Sequence, residues 1–463
     1  MSFSIDTERI RELNNRENIP GRFVVYWMQQ SQRGEYNHAL EFAIETANAL
    51  DLPVIVLFCL TQTYPEANLR HYTFMLEGLR HTQKELASRG IRMIVERGEI
   101  PQQVLRSAQG ASCIVCDRGY LRHQRQWREQ IARQASCRVV QVESDVVVPV
   151  DFVSEKAEYG ARTLRTKINR CVQGFLRDMK PVPVKHPSLG IKITGIDLED
   201  IDTVLSSLNP DRSVSPAGRF FRGGTPAAKE IFGGFLSCRL GRYERNSNQP
   251  QTEDISHMSP YLHFGQISPL YLALEVLKKR EEFQADSAAY LEQLIVRREL
   301  AMNFTHFTPD YDSFTCLPQW ARKTLLDHAF DKREHLYSTA ELENARTHDL
   351  YWNAAMNEMR TTGFMHNYMR MYWGKKILEW SEGPEEAFET LLHLNNRYFL
   401  DGRDPNSYAG VAWIFGQHDR AWSRRPIFGK VRYMSASGLE RKCDIRAYVS
   451  RVDRFRQMEA GAC

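Results

Sequence analysis

The chain has 463 residues, enough for two or three domains, and 42% of them are hydrophobic, so a sizeable core can form. No apolar run approaches the ~20 residues of a membrane helix, and the charged start "MSFSIDTERIRELNNREN" has no apolar h-region, which argues against a membrane protein and a signal peptide. Net charge is only +4 but uneven: residues 420–456 carry eleven Lys or Arg against Glu440, Asp444 and Asp453, a net +8 that leaves about −4 elsewhere.

The first third alternates strand and helix. "RFVVYWM" (22–28), "PVIVLFCL" (53–60), "IRMIVERG" (91–98), "ASCIVCD" (111–117) and "CRVVQVES" (137–144) are short, apolar and β-branched, with helical stretches between them. This predicts an α/β domain, doubly wound on a parallel five-stranded sheet, over residues 1–179. The turn after the first strand, "QQSQRGEYN", lacks GxGxxG, and GxxxxGK[ST] is absent, so any ligand of this domain binds without those phosphate loops. The nine cysteines are scattered; Cys113 and Cys116 fall on one strand and point to opposite faces, so no metal site is expected. Reduced thiols in a cytoplasmic protein are the expected state.

Residues 180–223 lose the pattern and are punctuated by Pro181, Pro183, Pro187, Pro210 and Pro216, which predicts a long surface connection. Residues 224–463 read as an all-α domain. Within it, "DISHMSPYLHFGQIS" (254–268) places Ser256, His257 and Ser259 before an apolar helix start with Pro260 in its first turn. That is either an ordinary cap or a phosphate site.

"MHNYMRMYWGKKILEW" (365–380) reads as one helix with His366, Arg370, Trp373, Ile377 and Trp380 on one face. An arginine on a core face needs an anion, and Asp401 in "LDGRDPNSYAG" (400–410) is the candidate partner. Asn395 and Asn396 lie just upstream, with amides that can donate or accept. Trp373 and Trp380 stand two turns apart, ~10 Å along the axis. With Trp352 on the preceding helix they are either core residues or a row of oxidisable indoles. Aromatics such as Trp422 are interleaved with the basic residues of 420–456, giving either a solvated face or a phosphate-binding surface.

"MHNYMRMYWGKKILEW", "SPYLHFGQIS", "LEQLIVRREL", "LDGRDPNSYAG" and "HDRAW", in this order, resemble class II cyclobutane pyrimidine dimer photolyases over nearly the whole chain. The resemblance implies a helical domain holding U-shaped FAD, whose light-excited reduced form lends an electron to a pyrimidine dimer in DNA. Carried over by motif, Tyr243, Ile255, Ser256, His257, Met258 and Ser259 hold the FAD phosphates. Arg370 and Asp401 form the ion pair beside the isoalloxazine, Asn395 faces its N5, Asn367 lies near the flavin–substrate contact, and Asn367 and Arg403 belong to the FAD-binding set. Trp373, Trp352 and Trp380 form the photoreduction chain, with Trp373 nearest the flavin. Gln293, Arg297, Trp413, Arg420 and Trp422 meet the UV-damaged DNA, whose dimer is flipped out of the stack. A monomer is the default.

Two departures stand out. Gln293 occupies a position where the family usually has Glu, and it is expected to look into the substrate pocket with Val296 and Leu300. It can donate a hydrogen bond but no proton, which weakens repair and keeps a cryptochrome-like photoreceptor as the alternative. "QQSQRGEYNHAL" (29–40) also departs from the family, leaving open whether a deazaflavin or folate antenna pigment sits in the N-terminal domain.

Overall fold

The structure is a computed structural model that describes residues 4–460; Met1, the leading residues 2–3, and residues 461–463 with Cys463 lie outside it. One six-stranded sheet runs in the order β1-β6-β5-β2-β3-β4. The strands are β1 (Ile10–Glu12), β2 (Phe23–Met28), β3 (Val54–Leu60), β4 (Arg92–Arg97), β5 (Ala111–Asp117) and β6 (Arg138–Val142). Strands β2 to β6 are parallel and match the five expected. The sixth, β1, is an antiparallel edge strand that pairs Ile10 with Val142. At three residues it is too short for a period of two to reveal it.

Strands β2, β3 and β5 are buried along their whole length. Helices α1 (His38–Ala49) and α2 (Leu69–Ser88) cover one face, and α3 (Ile100–Ser107) and α4 (Arg122–Gln134) cover the other. Cys113 and Cys116 accordingly pack on opposite faces. Chain order reverses between β2 and β5, which makes the carboxyl ends of these strands the switch point of the sheet.

Residues 180–223 form a connection that is tied to the sheet. Ser188 N–H donates to the Gly90 carbonyl at 2.8 Å and Ile196 N–H to the Val95 carbonyl at 2.7 Å, so the segment lines the β4 edge. It also contains an unexpected helix, Ile201–Leu208, capped by Asp200 and ended by Asn209 in the left-handed region. Val204, Leu205 and Leu208 join the core over α2, and that burial compensates for ordering a proline-rich chain.

The helical half reaches back into the first 179 residues. The helix Ala161–Phe175 packs in one cluster with Phe232, Leu262 and Leu300. Arg70 of α2 is buried and donates to the carbonyls of Ser215, Met359, Tyr398 and Arg360, which pins the two halves together. At the centre lies the helix Asn367–Trp380, flanked by Leu350–Thr362, Pro384–Tyr398 and Pro405–Ile414. The single inward stripe expected for it is too narrow a description. Tyr372, Lys375, Lys376 and Leu378 are buried as well, because neighbours enclose it on every side.

Candidate active site

His366 does not belong to the helical face. It is the N-cap, and its Nδ1 accepts the Tyr368 N–H at 3.2 Å. Gly363, at φ 73°, ends the preceding helix in the left-handed conformation and turns the chain into this cap. The imidazole is buried, its Nε2 has no partner, and burial pushes its pKa down to about 3. An unfolded histidine titrates near 6.5. Between those values the unfolded chain binds the extra proton, so stability falls as pH drops from about 6.5 towards 3. His366→Asn keeps a capping acceptor that does not titrate. Its thermal midpoint is expected to fall less than that of the wild type between pH 7 and 4; equal acid slopes would refute this.

One turn along, Arg370 Nη2 meets Asp401 Oδ2 at 2.9 Å and its Nε donates to the Met365 carbonyl at 3.0 Å. The guanidinium lies 3.9 Å from the Phe399 ring centroid, a cation–π contact. Asp401 sits in a loop closed by Asp404, which caps the helix Pro405–Ile414, and by Ser407 Oγ donating to the Asp401 carbonyl. Asn395 donates to Asn396 Oδ1 at 3.1 Å, while Asn396 donates to Glu66 and holds the Arg403 N–H.

The three tryptophans form a row. Trp352 Nε1 donates to the Trp373 carbonyl at 3.0 Å, and the Trp352 and Trp380 rings are edge-to-face at 5.7 Å. All three are at most 2% exposed. Tyr337 and the exposed His348 each lie 5.3 Å from the Trp380 ring, so that end of the row leads to the surface.

In the 254–259 loop, His257 adopts φ 57° and stacks edge-on against Phe364 at 4.9 Å, bringing the loop to the entrance of the Asn367–Trp380 helix. Met258 is buried, Ile255, Ser256 and Ser259 are half-buried, and Tyr243 packs on Tyr290 at 5.3 Å. The helix that follows is only five residues, Ser259–His263, so the expected dipole contribution to phosphate binding is small. His257 Nδ1, His366 Nε2, Trp373 Nε1 and Asp401 Oδ1 are buried without a hydrogen-bond partner. Such orphans are rare in a finished core. All four belong to the motifs singled out above, and each leaves a donor or acceptor free for a polar ligand.

The DNA photolyase family model matches residues 24–188. Over 452 residues the chain is 50% identical to a deoxyribodipyrimidine photo-lyase from Methanothermobacter thermautotrophicus, covering 97% of this chain and 98% of that protein. The chain belongs to the photolyase family. A deoxyribodipyrimidine photo-lyase from Oryza sativa is 41% identical over 96% of the chain and 90% of its own length. Two solved structures share the fold. A class III photolyase from Agrobacterium tumefaciens has TM-score 0.73 at 18% identity, covering 94% of this chain and 87% of its own. A Synechocystis cryptochrome has TM-score 0.67 at 14% identity, covering 94% and 86%.

In this photolyase the predicted substrate residues gather only in part. Arg297 lies 5.4 Å from the Trp413 ring, and Trp413 is 5.9 Å from the His418 ring. Trp422 is exposed between Arg420 and Arg432, at 5.2 and 5.3 Å. Gln293 does not share the buried face of Val296 and Leu300. Residues Glu292–Arg297 form a π-helical turn, which breaks the register with Val296 and Leu300. Those two are buried, whereas Gln293 is exposed and has no side-chain hydrogen bond among the described residues. Its neighbour Glu292 instead holds Arg165 at 2.7 Å and Arg297 at 3.4 Å.

Arg403 is buried at the carboxyl edge of the α/β domain's sheet. It lines a cavity of about 80 Å3 beside the switch point, with Trp27, Gln29, Tyr64, Trp127 and His263. Its Nη1 is unpartnered there. Asn367 is exposed at the first position of its helix. Arg451, counted in the basic segment, is buried against Glu358 at 2.8 Å, where Tyr448 also donates, so it adds nothing to a DNA surface. Sequence reasoning missed the Glu358–Tyr448–Arg451 cluster. Its members are up to 93 residues apart, and no local pattern joins them.

Proposed function

We propose that the chain is a class II photolyase that repairs cyclobutane pyrimidine dimers in DNA with light. The 50% identity to a deoxyribodipyrimidine photo-lyase along 97% of the chain carries this reading. Bound FAD supplies the light-driven electron. The Arg370–Asp401 pair and Asn395 flank its ring system, and His257 with Ser256 and Ser259 takes its phosphates. Trp373, Trp352 and Trp380 keep it reduced, in that order from the site outward. Arg297 and Trp413 wall the pocket for a flipped-out dimer, and the exposed arginines beyond residue 419 grip the flanking phosphates. A monomer suffices for all of this.

The cavity beside the switch point supports an antenna pigment of the deazaflavin or folate type. About 80 Å3 holds two or three waters, so such a pigment enters only as Tyr64 or Trp127 turns aside. Gln29 and Gln30, part of the departing motif, are spent on structure: Gln29 accepts from Arg128, and Gln30 donates to the His263 carbonyl. Fluorescence of pigments extracted from the purified protein reads this directly.

The test of the main reading is repair of a dimer-containing oligonucleotide under blue light, with binding measured against salt. Affinity is expected to favour the dimer and to fall with salt. Arg424→Ala, at an exposed position, should flatten the log–log salt slope by about one unit. Photoreduction without any repair would leave the cryptochrome-like reading.

Gln293→Glu is expected to raise repair yield per absorbed photon by about tenfold, short of the ~10²-fold at which the effect of a positioned proton donor usually starts. Gln293 is exposed, so the exchange disturbs no packing and dimer affinity should hold. An unchanged yield would mean that the π-helical turn carries position 293 away from the dimer.

A further inference from the structure

A second cavity, of about 600 Å3, opens on the α/β domain between β1, the loop that follows it, and α4. Six arginines line it: Arg11, Arg16, Arg118, Arg125, Arg128 and Arg133. They face only two glutamates. Glu12 is ion-paired to Arg138, which lies outside the lining, and Glu129 pairs with none of the six. Arg118 is neutralised by Glu143 and Asp151, at 3.0 and 2.8 Å. The other five have no carboxylate within ion-pair distance among the described residues.

Arg128 is the decisive member. It is 5% exposed at the cavity floor, donating to Gln29 Oε1 at 2.9 Å and to the Gly119 carbonyl at 2.6 Å. Burial pushes its pKa down to about 10, and the neighbouring Arg118 and Arg125 push the same way. A guanidinium sunk among like charges without a counter-ion is unfavourable unless an anion joins it. No aromatic ring other than His306 lines the cavity, so a base or a flavin finds no stacking face.

We propose that this cavity binds a small polyphosphate anion, gripped through its phosphate oxygens by the arginine fork geometry. The site is separate from the residues proposed for FAD and DNA, so its occupancy does not depend on repair. A DNA duplex presents phosphates on a convex ridge and does not reach the buried Arg128 guanidinium. A short chain of two or three phosphates does.

Sodium tripolyphosphate is the probe, titrated calorimetrically into the flavin-loaded full chain, with sulfate at matched ionic strength as control. One equivalent is expected to bind at least tenfold tighter than sulfate. Arg16→Glu and Arg133→Glu change exposed rim positions and keep the fold. Each is expected to weaken tripolyphosphate at least tenfold without altering dimer repair. Arg128→Gln is expected to abolish binding, with its thermal midpoint reporting whether it folds. Binding no tighter than sulfate, or insensitive to both rim variants, overturns the proposal. Displacement of the probe by undamaged duplex at equal phosphate concentration overturns it in favour of a nucleic-acid contact.

Discussion

Trp373→Phe is expected to slow light-driven reduction of bound FAD at least about tenfold, equivalent to ~1.4 kcal/mol of barrier. Trp373 is 2% exposed, its Nε1 has no partner, and its carbonyl holds the Trp352 indole. Phenylalanine keeps that carbonyl and the edge-on contact with Phe399 but is far harder to oxidise. Trp352→Phe should slow the same step, since Trp352 alone touches both of the others. Repair by protein reduced chemically beforehand should be spared in both variants. Transient absorption after a light flash, with thermal midpoints as a folding control, reads the result. Photoreduction at the wild-type rate would leave the three indoles as core residues.

Asp401→Ala is the second large effect, with an expected loss of ~3 kcal/mol of stability and of most bound FAD. Breaking a buried ion pair leaves a charge without compensation, at a cost of about 3–5 kcal/mol. The side chains here are 22% and 9% exposed, so the lower end applies. Arg370→Lys should be intermediate. Lysine keeps the charge but cannot combine the Asp401 bond, the Met365 carbonyl and the stack on Phe399. FAD per chain from absorbance, with thermal midpoints on the same samples, separates the cases. Full flavin content in Asp401→Ala would show that the pair serves packing alone.

The five parallel strands could be placed from sequence because a strand buried on both faces must be a continuous β-branched run. The Arg370–Asp401 pair was legible because a guanidinium on a core helix demands a carboxylate, and one polar loop offered it. Family motifs carried the site residues further than local pattern could. What only the tertiary structure decided lies between distant segments. His366 became a cap and not a face residue because the helix begins only at Asn367, two residues later than the stretch 365–380 implied, after the chain turns at Gly363. Gln293 came to solvent because a π-helical turn, invisible to a 3.6-residue wheel, shifts the register at Glu292–Arg297. Arg451 left the basic surface for Glu358 once the helix Ile445–Ala460 packed on Leu350–Thr362. The arginines of residues 11–16 and 118–133 share a cavity only because the three residues of β1 pair with β6. Local sequence sets which residues can form a helix, strand or cap, whereas long-range pairing and burial set which charges end up facing each other.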